Sequence, residues 1–585
     1  MSLSKQAVNI SCNDRVKQYP KGTLHSDDGH LFCSTCNTSL DHTRKASIDK
    51  HLKTLTHVEK RKRLEEAEEA VIKKQATISG SFKRMNDSRD ARNIAYCEVI
   101  EAFTAASIPL NKLDHPKLRD YLQTNVKNLG GLPGSSTLRS QYLPKVFEVN
   151  KQELKARVAA ASSIVIVTDE ASDSQDRFCL HVLFVFPVEA DDDAMQMEAK
   201  IVDLVFLEHV NGTTVSQTIV QTLTNYGVEF NKVSSFVTDN ASYMSAAYGN
   251  LKGLLPNCVH MTCNAHILSL VGDTWRKNFR DVDRLVACFK SIFVHCASRK
   301  LRYKEYLADK LHISADSVPL PPVPVITRWN SWFNTVAHHA KYVAHYPGFI
   351  DAEIEQSTET NALTELKSLF GPGNRIHTEL AFVADSTDKL VELLTWCEGR
   401  HVQIHLVYNK IMDLLASYSE KSEALGTVEW QRKAFRDSAD KLMQYYCPVG
   451  TVRFTQPALA FLHAVRLFDP QQAKTLTFNC FYDGIPGINS RLVADEVAAY
   501  KQAVKEIDAS VQPLTFWFSS KERFPQLFKL AVRYLSVPTN SADAERSVSH
   551  YTLINAPQRQ CFTDDNLALH VMMAFNARNI DQATD

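Results

Sequence analysis

The chain predicts a multidomain α+β protein: a small ββα-type zinc finger, a mixed sheet covered by helices, and a large all-helical insertion. Three observations predict it. Cys33, Cys36, His51 and His57 give C-x2-C-x14-H-x5-H inside one short segment. From Ser162 the pattern turns to β and then runs βββαβαβα as far as residue 274. From 275 to 515 the chain is helical in period and poor in strand signals.

Size and charge bound the possibilities. At about 150 residues per domain, 585 residues allow roughly three to five domains. The 66 basic and 66 acidic residues cancel, which argues against a uniformly basic DNA-coating protein and confines any nucleic-acid surface to local patches. The thirteen cysteines are mostly scattered among apolar neighbours, as at Cys288, Cys397 and Cys480, which points to buried thiols in a reducing compartment. No apolar run follows a basic N-terminus and none reaches about 18 residues, so neither a secretory signal nor a membrane span is expected.

The first 63 residues hold twelve Lys/Arg and six Asp/Glu, a local net of +6. A cysteine knuckle supplies two zinc ligands from one turn, and a helix through Ile48–Leu52 is expected to supply two histidines on adjacent turns. Phe32 and Leu52 are the candidate mini-core, and metal binding supplies the folding energy that so small a segment lacks. Arg44, Lys45, Lys50 and Lys53 suit phosphate contact, against the alternative of a solvated basic face. Lys60-Arg61-Lys62-Arg63 reads either as a nuclear localisation run or as part of the same DNA face. A charged helix and a breaker-rich linker follow.

Residues 91–128 regain helical periodicity, and Gly130–Ser136 forms a loop before further helix to Ala160. Ser163–Thr168, Phe178–Phe186 and Lys200–Leu207 predict an antiparallel meander. A helix over Thr214–Tyr226 is expected to stop at Gly227. Strand Val233–Thr238, a helix near Tyr243, a short strand at Cys258–Met261 and a helix from Asn264 complete the alternation.

Two aspartates, Asp169 and Asp239, close strand-like runs, and Glu545 stands 306 residues beyond the second. Three converging carboxylates are what a protein needs to hold a pair of magnesium ions. Taken singly, an Asp at a strand end is a turn former or helix cap. Cys263-Asn264-Ala265-His266 opens a helix nearby; His266 could touch a scissile phosphate or be a hydrogen-bonded structural histidine. Arg328 and Trp329, in Thr327-Arg328-Trp329-Asn330-Ser331-Trp332, could stack on an extruded base and pair with a phosphate, whereas Trp332 reads as packing.

Together these residues resemble the hAT transposase family with a BED-like finger in front, and the finger is also similar to that of CGG-repeat-binding proteins. The most specific piece runs from Phe524-Pro525-Gln526-Leu527 through Ala531–Pro538 and Ser541 to Glu545-Arg546-Ser547-Val548-Ser549, with Arg559 beyond. The resemblance implies an RNase H-like core interrupted by the helical insertion before the last acid. It implies Asp169, Asp239 and Glu545 as a DDE set for Mg2+ or Mn2+, Cys263 and His266 as the family's C-x2-H step, and Trp329 as a hairpin-promoting tryptophan. It implies cleavage of one strand at the element end, attack of the freed 3′-hydroxyl on the other strand, a hairpin on flanking DNA, and strand transfer to a target. The partners implied are double-stranded DNA and further copies of the chain, and the location is the nucleus. One departure is the lack of a tryptophan soon after Asp169; Glu170, Asp173 and Asp176 are nearby carboxylates that could be mistaken for the ligand. The other function class is a domesticated DNA-binding regulator that keeps the fold without strand transfer. The expected boundaries are 11–63 for the finger, 64–90 for charged helix and linker, and 91–160 for a helical region. The first part of the core is 161–274, the insertion 275–515, and core completion with the dimerisation region 516–585.

Overall fold

The computed structural model describes residues 10–27, 29–63, 90–189, 195–324, 330–356, 360–399, 403–447, 455–476, 482–489, 491–508, 510–556 and 562–577. The expected charged helix and linker, Arg328, Trp329 and Arg559 lie outside the described residues. The chain divides into two compact units, Met1–Ile100 with Leu113–Val149, and Glu101–Lys112 with Asn150–Asp585.

In the first unit a short helix, Cys12–Val16, precedes β1 (Leu24–Asp27), β2 (His30–Cys33) and β3 (Thr38–Leu40). The three strands form one antiparallel sheet in sequence order, and helix Lys45–Leu52 follows. With the helical residues 55–63, this is one strand and two helices more than the expected ββα. The core is Cys12, Leu24, Leu31, Cys33 and Ile48, with Leu52 packed beside it. Leu31, not Phe32, faces inward: alternation along β2 puts Leu31 and Cys33 on the core side, and Phe32 stacks outside on His25. Buried Arg15 donates to the carbonyls of His42 (2.7 Å) and Thr43 (3.2 Å), tying the first helix to the loop before the last. The expected loop around Gly130 is also built: Arg119 donates to the Leu132 and Pro133 carbonyls, and Asp114 accepts from the Ser135 amide at 2.9 Å.

The second unit holds a five-stranded mixed sheet: β4 (Ile164–Ser172), β5 (Phe178–Glu189), β6 (Met195–Leu207), β7 (Val233–Thr238) and β8 (Val259–Thr262). The order is β6-β5-β4-β7-β8. β4, β5 and β6 form the expected antiparallel meander, whereas β4–β7 and β7–β8 are parallel. Ile164–Thr168 and all of β7 are buried without alternation, as in strands covered on both faces. Helix Gly212–Tyr226 ends where expected, at Gly227 with φ 66°, a left-handed cap that glycine adopts without strain.

Side-chain amides close both sheet edges. Asn576 accepts from the Ile201 amide and donates to the Ile201 carbonyl, each at 2.8 Å, on β6. Gln456 does the same to Thr262 on β8, at 3.0 and 2.7 Å. Each satisfies a rung that an edge strand would otherwise leave open.

Between β8 and the C-terminus the described residues contain helices and no strand. Trp332 is buried, and its indole donates to Asp283 at 2.9 Å, a packing role. Three late helices, Pro525–Leu535, Ala542–Ile554 and Asp564–Asn576, follow. The second packs on β4 and β5, and the third on β6.

Candidate functional site

Two constellations stand out, one in each unit. In the finger, ligand atoms of Cys33, Cys36, His51 and His57 all lie within 4.8 Å of one another. His57 Nδ1 is 3.4 Å from the sulfur of both cysteines. Ligand edges of about 3.5 Å are what a tetrahedral zinc with ordinary Zn–S and Zn–N bonds requires. His51 Nε2 is buried with no hydrogen-bond partner among the described residues, a donor set that a metal would complete. The two histidines do not share one continuous helix, contrary to the expectation. The first helix ends at Leu52, and residues 55–63 start another. Thr54 makes the break: its hydroxyl donates to the His51 carbonyl at 2.7 Å, and the His57 amide donates to the Thr54 carbonyl at 3.0 Å. Arg44, Lys45, Lys50, Lys53 and Lys60–Arg63 are all exposed.

In the sheet unit, Val167 pairs with Val237 across the parallel β4–β7 ladder. Asp169 and Asp239 each follow two residues later, Asp239 just past β7 as expected but Asp169 inside β4 rather than closing it, since pairing with β5 carries that strand on to Ser172, so the two residues stand on neighbouring strands at the same level. Asp169 Oδ1 accepts the Glu170 amide (3.0 Å), and Asp239 Oδ1 accepts the Ala241 amide (3.1 Å) at the entry to helix Ser242–Leu251. Glu545 is in the first turn of Ala542–Ile554. Buried His181 on β5 bonds Ser547 at 2.8 Å, and Asp173 accepts from Tyr551 (2.7 Å) and Asn555 (2.9 Å), which bolts that helix to the β4–β5 hairpin. Asp173 is also paired with Arg177 at 2.6 Å; these bonds outweigh its burial and lower its carboxyl to about 2. Its oxygens are thus engaged in structure. Glu170 Oε2 accepts the Tyr243 hydroxyl at 2.7 Å.

The Cys263–His266 step joins the acids. The Cys263 amide donates to the carbonyl of Thr238, next to Asp239, at 2.8 Å. The Cys263 sulfur accepts the amide of Ser541, four residues before Glu545, at 3.3 Å. His266 Nε2 stands 3.5 Å from Glu545 Oε1. Burial pushes the Asp169 carboxyl up to about 7, with Asp239 adding to the rise and His266 opposing it. Burial likewise raises Glu545 to about 7, with Asp169 and Glu398 adding and His266 opposing. Burial disfavours the charged form of His266, but Cys263, Glu545 and Asp169 outweigh it and its pKa is raised. Asp169 feels the charge of Asp239, and Glu545 that of Asp169, a repulsion that a cation or proton among them relieves. Glu545 Oε1 is buried and accepts no hydrogen bond among the described residues, which fits a cation-binding role. The three acids are not all within 4.8 Å of one another, a closeness that among the described residues the finger quartet reaches.

The sequence did not single out Glu398 or Gln456. Glu398 lies 147 residues from Glu545 and carries no motif, so local pattern held no signal for it.

Residues 6–63 match the CGGBP1 N-terminal domain, 86–145 the CGGBP1 helical domain, and 496–577 the hAT family C-terminal dimerisation region. Over 154 residues, 26% of this chain, it is 37% identical to CGG triplet repeat-binding protein 1 of Mus musculus and of Homo sapiens, covering 90% of each. A hAT dimerisation region at one end and a CGG-repeat-binding-protein module at the other are thus joined in one polypeptide: the chain carries the hAT family's C-terminal dimerisation region and belongs, through its N-terminal quarter, to the family of the CGG triplet repeat-binding proteins.

Proposed function

We propose that this chain is a cut-and-paste DNA transposase of hAT type, acting in the nucleus on double-stranded DNA as a dimer or higher oligomer. The observation that carries the reading is the register of β4 and β7, which brings Asp169 and Asp239 off the sheet side by side, with Glu545 and His266 close by. The sheet order, three antiparallel strands followed by two parallel ones, supports an RNase H-like core. The C-terminal match supports self-association. The name of the N-terminal relatives and the exposed lysines and arginines support DNA binding by the finger.

Asp169, Asp239 and Glu545 would hold the divalent ions, Mg2+ or Mn2+. Such ions, when bound, polarise the phosphodiester and activate the attacking oxygen. His266 stands beside Glu545 and opposes, without cancelling, the rise that burial gives its carboxyl. Cys263 holds the ends of two acid-bearing segments together by its amide and its sulfur. Trp329 is assigned the hairpin step by resemblance alone and Arg328 a phosphate contact by residue type, and Cys33, Cys36, His51 and His57 would hold structural Zn2+. The domain boundaries expected from the sequence stand as part of this proposal.

A second reading, a domesticated DNA-binding regulator, is favoured by one observation: the N-terminal module covers 90% of relatives named for DNA-repeat binding, without any acid site. The test is excision of a reporter flanked by the element's terminal repeats, in cells expressing the chain or its Glu545→Ala variant. Excision by the intact chain alone supports the transposase. DNA binding without excision by either supports the regulator.

A further inference from the structure

The Cys263–His266 step contains a residue that neither the family assignment nor the sequence reading gave a role. Asn264 is fully buried at the start of helix Asn264–Asn278. Its amide nitrogen donates to the Thr539 carbonyl at 2.8 Å. Its oxygen accepts from the Tyr446 hydroxyl at 2.7 Å and from Gln456 Nε2 at 3.0 Å. Its backbone N–H also points to the Thr539 carbonyl, at 3.3 Å.

The direction of these bonds is dictated, not chosen. Gln456 reads both the N–H and the C=O of Thr262, so its nitrogen must face the Thr262 carbonyl and, with it, Asn264 Oδ1. The Asn264 nitrogen is then left facing Thr539, where only a donor fits. Thr539 begins the turn that continues through Asn540, which donates to the Cys397 carbonyl, and Ser541, whose amide is held by Cys263. Glu545 follows one helical turn later. Tyr445, beside Tyr446 on helix Glu429–Tyr446, accepts from Asn240, the neighbour of Asp239, at 2.9 Å.

We propose that Asn264 is a positioning residue: its buried amide, locked by Gln456 and Tyr446, sets the Thr539–Ser541 turn and thereby the place of Glu545 relative to His266 and Asp239. The inference rests on the reading of these acids as the metal site. It makes two residues of the long helical segment, Tyr446 and Gln456, indirect determinants of that site. Partners that orient metal ligands are worth about 10–100-fold in affinity.

The experiment is Mn2+ binding to the full-length, zinc-loaded chain, followed by electron paramagnetic resonance, with thermal unfolding measured in parallel. Asp239→Asn should lose the site. Asn264→Ala should weaken Mn2+ binding about 10–100-fold, and Tyr446→Phe, which removes one donor and no volume, several-fold. Excess Mn2+ should restore occupancy in both, and a thermal midpoint measured without Mn2+ and close to that of the wild type separates a displaced ligand from a merely unstable protein. If Asn264→Ala does not fold, Tyr446→Phe decides. Wild-type affinity in the folded Asn264 and Tyr446 variants, with Asp239→Asn defective, overturns this inference alone. Equal binding by the wild type and Asp239→Asn overturns the metal-site reading and the inference with it.

Discussion

The finger and the sheet unit both gather metal-ligating side chains, but in opposite order of cause. The finger buries five apolar residues, two of them cysteines, too few to hold three strands and three helices unaided. Its four candidate ligands come from 25 consecutive residues, Cys33 to His57, and lie within 4.8 Å of one another. There, on the zinc reading, a metal would make the fold. The sheet unit buries a core of some twenty residues under β4, β5 and β7, and its acids come from segments up to 376 residues apart, Asp169 to Glu545. There the fold makes the site, and holds its carboxylates against their own repulsion.

The largest expected effect breaks that contrast if it fails. Cys33→Ser, or zinc removal by a chelator, withdraws a metal-binding free energy on the order of 10 kcal/mol from the finger. Hydrogen exchange should then become complete in residues 11–63 and stay unchanged in β4–β8, with DNA binding lost. Retained protection in the finger would mean that its small core suffices.

Asp239→Asn should act in the reverse sense. It keeps the oxygen that accepts the Ala241 amide and removes a charge that repels Asp169. DNA cleavage should fall by at least on the order of a thousandfold, the scale of losing one electrostatic contact at a reacting centre. End binding should persist, and the thermal midpoint should stay level or rise. A clear drop in stability would show that the carboxylate is structural.

A smaller effect separates framework from site. Asp173 is a neighbour of Asp169 in sequence, yet its bonds go to Arg177, Tyr551 and Asn555. Asp173→Asn should cost about 2 kcal/mol of stability through those charged hydrogen bonds. Cleavage by the folded variant should change far less than in Asp239→Asn. Equal losses in the two variants would place Asp173 among the reacting groups.

Legibility follows the same divide. The finger's ligands are readable because they are close in sequence and spaced by a knuckle and a helical turn. Its details escaped: Phe32 against Leu31 is a question of strand phase, and the Thr54 break between His51 and His57 depends on one hydroxyl. In the sheet unit, β4, β5, β6 and β7 announce themselves by apolar runs, and Gly227 by its place after a helix. That Asp169, within β4, and Asp239, just past β7, stand at one level needs the pairing of β4 with β7, which no local pattern carries. Glu545 was singled out with the aid of resemblance. Asn264, Tyr446 and Gln456 are partners across 182 and 192 residues, so their meeting exists only in the folded chain.

The last effect uses pH, because a metal would bind the finger's histidines in their neutral form, whereas burial favours that form in the sheet unit. His51 and His57 must be neutral to bind a metal. In the sheet unit, burial alone pushes His260 down to about 4, and burial with the neighbouring His338 pushes His339 down to about 3. Both rings are well packed: His260 bonds Thr238 at 3.1 Å, and His339 bonds Tyr346 at 2.9 Å. Below pH 6.5 the unfolded chain takes up protons that the folded rings refuse. Their contribution to stability is therefore complete above about 6.5 and drains as pH falls toward 4 and 3, approaching about 1.4 kcal/mol per pH unit for each ring. Urea unfolding between pH 7.5 and 5 should give the sheet unit the same pH slope with and without added zinc, the histidine loss being set against the gain from Asp169 and Glu545 as those raised carboxyls take up protons. The finger should weaken too, but excess zinc should push its loss to lower pH, since the metal competes with protons for the same nitrogens. Zinc protection of the sheet unit, or none of the finger, would erase the distinction between a fold that a metal makes and a site that a fold makes.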